Sequence, residues 1–175
     1  MQKKIFIFAS VIETWRKEAK KFLFKETGGI LIGYKDKSGN HVMTHATGPG
    51  PNAYHGLTCF EADHKYCQSI LDYIFDLTRG ELTFMGDWHT HPWGALDLSS
   101  RDYKTLIELA SDHRAKTPRP IIAIYRPEFY ILGHSRKHDF AAYSLQYSSS
   151  SLETKSLGIE IINEISNYTL PVIDP

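Results

Sequence analysis

Two histidines one residue apart, His89 and His91, are followed by Ser99 and Asp102 in the pattern H-x-H-x7-S-x2-D. On a strand, residues two apart share a face, so both imidazoles can aim at one point. On a helix, residues three apart are neighbours, so Ser99 and Asp102 present their oxygens side by side. A strand end meeting a helix start across a short loop therefore gathers two nitrogens and one carboxylate. Three protein ligands with a fourth position left to water is the arrangement of a catalytic zinc site.

Each part also has an ordinary explanation. Ser99 with Asp102 three residues on is a helix-start capping pattern. Histidine pairs on strands are commonly surface or packed residues. The combination is rarer: roughly a few chains per thousand of this composition would carry it by chance. Asp87 shares the face of His89 and His91, so Asp87-x-His89-x-His91 is a rival ligand set. Asp102 is the expected third ligand, because a helix-borne carboxylate approaches across the strand direction, as a tetrahedral site requires.

The pattern His89-x-His91-Pro92 followed by Ser99-x-x-Asp102 resembles the signature of the JAMM (MPN+) metalloprotease family. That family carries a catalytic Glu at the start of a core strand, and Glu26-Thr27-Gly28-Gly29-Ile30-Leu31-Ile32-Gly33 resembles that element. The Gly- and Pro-rich loop Gly48 to Ala53 is similar to that of bacterial stand-alone members. The resemblance implies Zn2+ held by His89, His91 and Asp102, with Glu26 as general base and Ser99 as oxyanion donor. It implies an isopeptidase acting on a ubiquitin-like modifier or its conjugate. Such enzymes are often encoded with ubiquitin-activating- and ubiquitin-conjugating-like proteins, including in antiphage defence operons. Two alternatives stay open: a peptidase that processes sulfur-carrier proteins, and a non-catalytic interaction module.

Without the motif, Glu26 would read as a solvated charge at a strand mouth. Gly28 and Gly29 beside it let another backbone or a substrate come close. Trp88 alternates with the histidines and is expected in the core, whereas Trp93 could wall a channel to the site. His55 reads as a surface histidine that could face the cleft.

The positioning elements follow from periodicity. Lys4 to Ala9 is a short apolar strand. Ser10 with Glu13 is expected to form a capping box for a helix whose apolar stripe is Val11, Ile12, Trp15, Ala19, Phe22 and Leu23. A strand is expected over Gly29 to Tyr34, a turn at Ser38-Gly39-Asn40 and a return strand near His41 to Ala46. Asp63 to Leu77 is a helix with Tyr66, Ile70, Ile74 and Leu77 on one side, widened by Cys67, Leu71 and Phe75. It ends at Arg79-Gly80, and Glu81 to His91 returns as the strand that carries the histidines. After the Ser99 helix, Tyr103, Leu106, Ile107 and Ala110 form a stripe. Pro118 and Pro120 then interrupt regular structure. Ile121 to Tyr125 suits a strand covered on both faces. Phe129 to Leu132 and Phe140 to Tyr147 read as strands with Arg136-Lys137-His138 near their turn. Ser148 to Ser151 is a low-complexity break, and Gly158 to Ile165 suits either a strand or a helix. The expected fold is an α/β (α+β) domain over residues 1–175: a mixed, mostly antiparallel sheet flanked by helices.

Lys and Arg together number 20, as do Asp and Glu, so the formal net charge is zero. With no polybasic run, neither a nucleic-acid nor an anionic-membrane partner is expected. Lys3-Lys4 before a short apolar run imitates a signal peptide, but Glu13 follows without a cleavage-like segment. Two cysteines, Cys59 and Cys67, without a secretory signal favour reduced thiols and a cytoplasmic protein.

Overall fold

In the computed structural model, residues 4–113, 117, 119–131, 134–147 and 152–163 are described. Strand β1 (Lys4–Phe8) runs straight into helix α1 (Ala9–Lys21), and β2 (Gly28–Lys35) and β3 (His41–Ala46) form a hairpin. A small hairpin of β4 (Tyr54–His55) and β5 (Phe60–Glu61) precedes α2 (His64–Leu77). Then come β6 (Thr83–Thr90), α3 (Ser100–Ser111), β7 (Ile121–Arg126) and a second small hairpin, β8 (Phe129–Ile131) with β9 (His134–Arg136). The last described elements are β10 (Asp139–Tyr147), β11 (Leu152–Ser156) and β12 (Gly158–Ile162).

Eight strands form the main sheet in the order β11-β10-β7-β6-β2-β3-β1-β12. Four of its seven neighbouring pairs are antiparallel; β6–β7, β1–β3 and β1–β12 are parallel. The fold is therefore the mixed, mostly antiparallel α/β arrangement expected from the pattern.

Alternation along the central strands divides the core between two faces. On one, α1 buries Val11, Ile12, Trp15 and Ala19 against Met43, Trp88, Ala123 and Tyr125. Trp15 is fully buried, stacks on Trp88 at 5.6 Å and meets Tyr125 at 5.9 Å. On the other face, Ile74 of α2 packs with Ile32 and Leu82, while Leu106 of α3 packs on Ile122, Ile124 and Leu145. Strand β7 thus presents buried side chains to both layers, as its unbroken apolar run predicted. The cleft between α2 and α3 lies on this second face.

Several local expectations are corrected. No capping box forms at Ser10: the buried strand β1 passes into α1 without a loop, Phe8 is the N-cap, and Ser10 falls inside the first turn. Leu23 does not join the apolar stripe and is 54% exposed, because α1 stops at Lys21. On α2, Cys67 and Ile74 are buried, but Phe75 and Leu77 face outward. The two-residue strands β4 and β5, and the strands β9 and β11, were not foreseen. Arg136 closes β9, next to the two-residue link into β10. Gly158–Ile162 is a strand, because it pairs in parallel with β1. Pro118, Leu132, Ser148 to Ser151 and Ile165 lie outside the described residues. Cys59 and Cys67 are free thiols. Among the described residues, no helix is long and apolar enough to cross a membrane.

The stacked Trp15–Trp88 pair joins α1 to the strand that carries both histidines. Trp15→Ala should cost about 3–5 kcal/mol of stability, the range for truncating a large buried aromatic. Urea denaturation will measure it, and a loss below about 1 kcal/mol would show that α1 is not what braces β6.

Candidate metal centre

His89 and His91 extend from the end of β6 on its α2/α3 face, with His91 one residue past the strand. Thr90, between them, points the other way and is fully buried. Its N–H donates to the Thr27 carbonyl at 2.7 Å, and its hydroxyl accepts the Thr27 N–H at 3.0 Å. The His91 N–H donates to Tyr125 O at 3.0 Å, so β7 fixes the backbone at the second histidine.

Asp102 comes from the first turn of α3. Ser99 is the N-cap, and its hydroxyl accepts the Asp102 N–H at 3.2 Å while Asp102 Oδ2 accepts the Ser99 N–H at 2.7 Å. This is a complete capping box, the ordinary explanation for the Ser99/Asp102 spacing. It does not exclude the other. Asp102 Oδ1 lies 3.2 Å from His89 Nε2, Oδ2 lies 3.6 Å from His91 Nε2, and the two Nε2 atoms are 3.0 Å apart. Zinc bonds of about 2.0–2.1 Å at tetrahedral angles put ligand atoms about 3.3 Å apart. The two imidazole nitrogens and the carboxylate, which meets one ring through each oxygen, therefore lie at separations close to those of a zinc ligand set. The cluster they form spans no more than 4.8 Å between donor atoms, and Asp87 is not a member of it.

The protonation chemistry suits a cation. The His91 Nδ1–H donates to Ala95 O at 2.8 Å, which leaves the Nε2 lone pair facing the cluster. Burial, and then the neighbouring His89, hold the His91 pKa below its usual value, so the ring stays neutral. Burial alone would raise the Asp102 pKa, yet hydrogen bonds to His89 and Ser99 hold this carboxyl well below the ordinary range. Two imidazoles, that of His91 with its lone pair turned inward, and one carboxylate thus converge, and these residues can hold a metal ion.

Glu26 immediately precedes Thr27 and is half-buried in the same cleft of about 840 Å³ as His89, His91, Ser99 and Asp102. Burial raises its pKa; nearby His89 opposes the shift and Asp102 adds to it. Gly28 follows because nothing larger fits: a Cβ there would collide with the Trp88 carbonyl and crowd Phe60. The close approach is made by protein, not substrate. Gly86, at φ 143°, is constrained in the same way by the backbone of Ile121.

The remaining candidates separate. Trp88 is buried, and its Nε1–H donates to Thr47 O at 2.9 Å. Trp93 is 59% exposed, stacks on Phe24 at 5.6 Å and donates Nε1–H to Phe24 O at 3.1 Å, so it lines the cleft mouth. Asp87 lies deeper in the cleft, with burial raising its pKa to about 6. Two residues beyond the expected set tie the site's backbone together, Thr27 and Thr90, and His55 lies against the Glu26 carbonyl. The β-alternation already placed Thr90 opposite the ligands, but its pairing with Thr27 needs the sheet register.

A profile of prokaryotic homologs of the JAB domain matches residues 8–145. A protein named a probable metalloprotease, from Sinorhizobium fredii, is 31% identical over 125 residues, covering 71% of this chain and 76% of its own length. A CD-NTase/cGAS isopeptidase from Enterobacter hormaechei is 29% identical over 121 residues, covering 69% of this chain and 66% of its own. A solution structure of a Desulfitobacterium hafniense protein superposes with a TM-score of 0.62 at 17% identity, covering 94% of this chain and 97% of the other; that likeness concerns the fold.

Metal content separates the two rival ligand sets. Asp102→Ala protein should purify with little bound metal, whereas Asp87→Ala should keep a full complement by elemental analysis. Loss from the Asp87 variant alone would overturn the assignment.

Proposed function

The chain belongs to the prokaryotic JAB-domain family of hydrolytic metallopeptidases, and we propose that it is a zinc-dependent isopeptidase that cleaves after the C-terminal tail of a ubiquitin-like modifier. The observation that carries this reading is the convergence of His89 Nε2 and His91 Nε2, 3.0 Å apart, on the Asp102 carboxylate, at 3.2 Å from Oδ1 and 3.6 Å from Oδ2 respectively. These three would hold the ion. A zinc ion bound there supplies Lewis acidity, making water a nucleophile near neutral pH and polarising the scissile carbonyl.

The protein's own groups do the rest. Glu26 accepts the proton of the attacking water and delivers it to the departing nitrogen. Without that delivery the amine would have to leave as its anion. A carboxyl whose pKa is raised by burial suits a group that takes and returns a proton. Ser99 supplies a hydroxyl for the developing oxyanion, a contact typically worth about 2.7–4 kcal/mol. Its oxygen already accepts the Asp102 N–H, which leaves its own proton to donate. Neither cysteine has a part in these steps.

A terminal pair of glycines suits the approach. Trp93, stacked on Phe24, and Leu57 narrow the mouth of the cleft. An extended tail with small final residues can pass between them with its backbone available for pairing. The isopeptidase name of the Enterobacter hormaechei relative favours a conjugate over a linear precursor and a conjugation system as the setting. Processing of a sulfur carrier would use the same chemistry on a different tail. The converging donors and the neighbouring Glu26 weigh against a purely non-catalytic module.

Glu26→Ala should retain metal and a normal melting transition while losing most turnover; a metal-replete variant with wild-type turnover would remove Glu26 from the mechanism. In a paired set of modifier fusions, changing the final Gly to Val should reduce turnover greatly, on the order of a hundredfold if the carbonyl is displaced by about 1 Å. Changing the residue beyond the scissile bond should matter less. Chelation should abolish cleavage, and a thiol-blocking reagent should spare it. Equal rates across the fusions would rule out the narrow channel.

A further inference from the structure

The ligands ride on a core strand and a capped helix, whereas Glu26 sits in the connection between α1 and β2. Each of its backbone groups nevertheless has a partner. The Glu26 N–H donates to Gly56 O at 2.8 Å, and its carbonyl lies 3.0 Å from His55 Nδ1. A carbonyl only accepts, so His55 carries its proton on Nδ1 and donates. Both contacts come from the small β4–β5 hairpin, whose closing bond is Gly56 N–H to Cys59 O at 2.8 Å.

Two residues per strand do not hold a hairpin in place by themselves. The His55 ring supplies an anchor. It stacks on Phe22, at the end of α1, with centroids 3.7 Å apart and planes within 11°, and Phe60 flanks it at 5.5 Å. The position thus uses two properties of one side chain: a flat ring that fills an aromatic stack, and an edge N–H aimed at the carbonyl of the proposed base. Phenylalanine has only the first and asparagine only the second.

We propose that His55 is a positioning residue: stacked on Phe22, it clamps the backbone of Glu26 and so sets where the carboxylate stands relative to the cleft. The inference rests on the reading of Glu26 as general base. His55 is not proposed to touch substrate. Its loss should therefore leave ground-state binding alone and act on the chemical step.

The test uses metal-loaded full-length protein, with His55→Phe, His55→Asn, Glu26→Gln and the double variant Glu26→Gln/His55→Phe. On a cleavable modifier fusion, His55→Phe should lower kcat about tenfold to a hundredfold, as expected for an error of up to about 1 Å in a catalytic group. KM should stay within about twofold and metal content should be unchanged. His55→Asn, which restores a donor, should recover part of the loss. The His55→Phe effect should vanish in the Glu26→Gln background, because a misplaced base no longer matters once the base is gone. Independently of activity, amide hydrogen exchange at residues 26 and 27 should accelerate in His55→Phe and not elsewhere in β2. Unchanged exchange at those amides would overturn the clamp whatever Glu26 does. Faster exchange with wild-type kcat, or an equal His55→Phe loss with and without Glu26, would overturn its positioning role. Wild-type turnover in Glu26→Gln alone would instead sink the reading of Glu26 as base.

Discussion

One carboxylate carries two obligations in this fold. Asp102 accepts the N–H of Ser99 and so closes the first turn of α3, and it also faces the two imidazoles at the end of β6. The first task orients the second. A free aspartate samples several rotamers, while one bonded through Oδ2 to the N-cap backbone has its other oxygen aimed outward before any ligand arrives. The same bonds keep it ionised despite burial. Helix start and ligand geometry are therefore a single arrangement, and the capping explanation and the metal explanation of the Ser99/Asp102 spacing are not competitors.

The rest of the structure serves to bring a strand end to that helix start. Trp88, between Asp87 and His89, points into the opposite layer and stacks on Trp15, so the face that holds the ligands is fixed by burial on the other. A one-residue slip of β6 would put Trp88 in the cleft and His89 in the core. The Thr27–Thr90 pair then carries that register across to the segment bearing Glu26. The candidate ligands are held by a core strand and a capped helix. The proposed base is held by a small hairpin whose His55 ring stacks on Phe22.

Much of this was legible in the chain. The H-x-H and S-x-x-D spacings named the residues that converge, because periods of two and of three to four translate directly into shared faces. The apolar run Ile121 to Tyr125 announced a strand covered on both sides. What escaped was whatever depended on contact between distant segments. His55 looks like any loop histidine until Phe22, Phe60 and the Glu26 carbonyl surround it. Strands β4 and β5 are too short for alternation to register, and β12 is defined by pairing with β1 rather than by its own composition. Ser10 misled for the opposite reason: the local capping signal was sound, but a strand running directly into the helix moved the start by two residues.

The parallel pairing of β6 with β7 has a consequence for how the protein comes into being. The ligand residues are close together in the chain, yet the His91 N–H is bonded to Tyr125 O, and the strand carrying both histidines lies between β2 and β7 in the sheet. During synthesis at about 5–20 residues per second, the histidines emerge seconds before the strand that locks them. For that interval the chain holds two imidazoles and an aspartate without the scaffold that orients them. The nascent chain thus acquires the residues of its candidate metal centre before it acquires the sheet that brings them together.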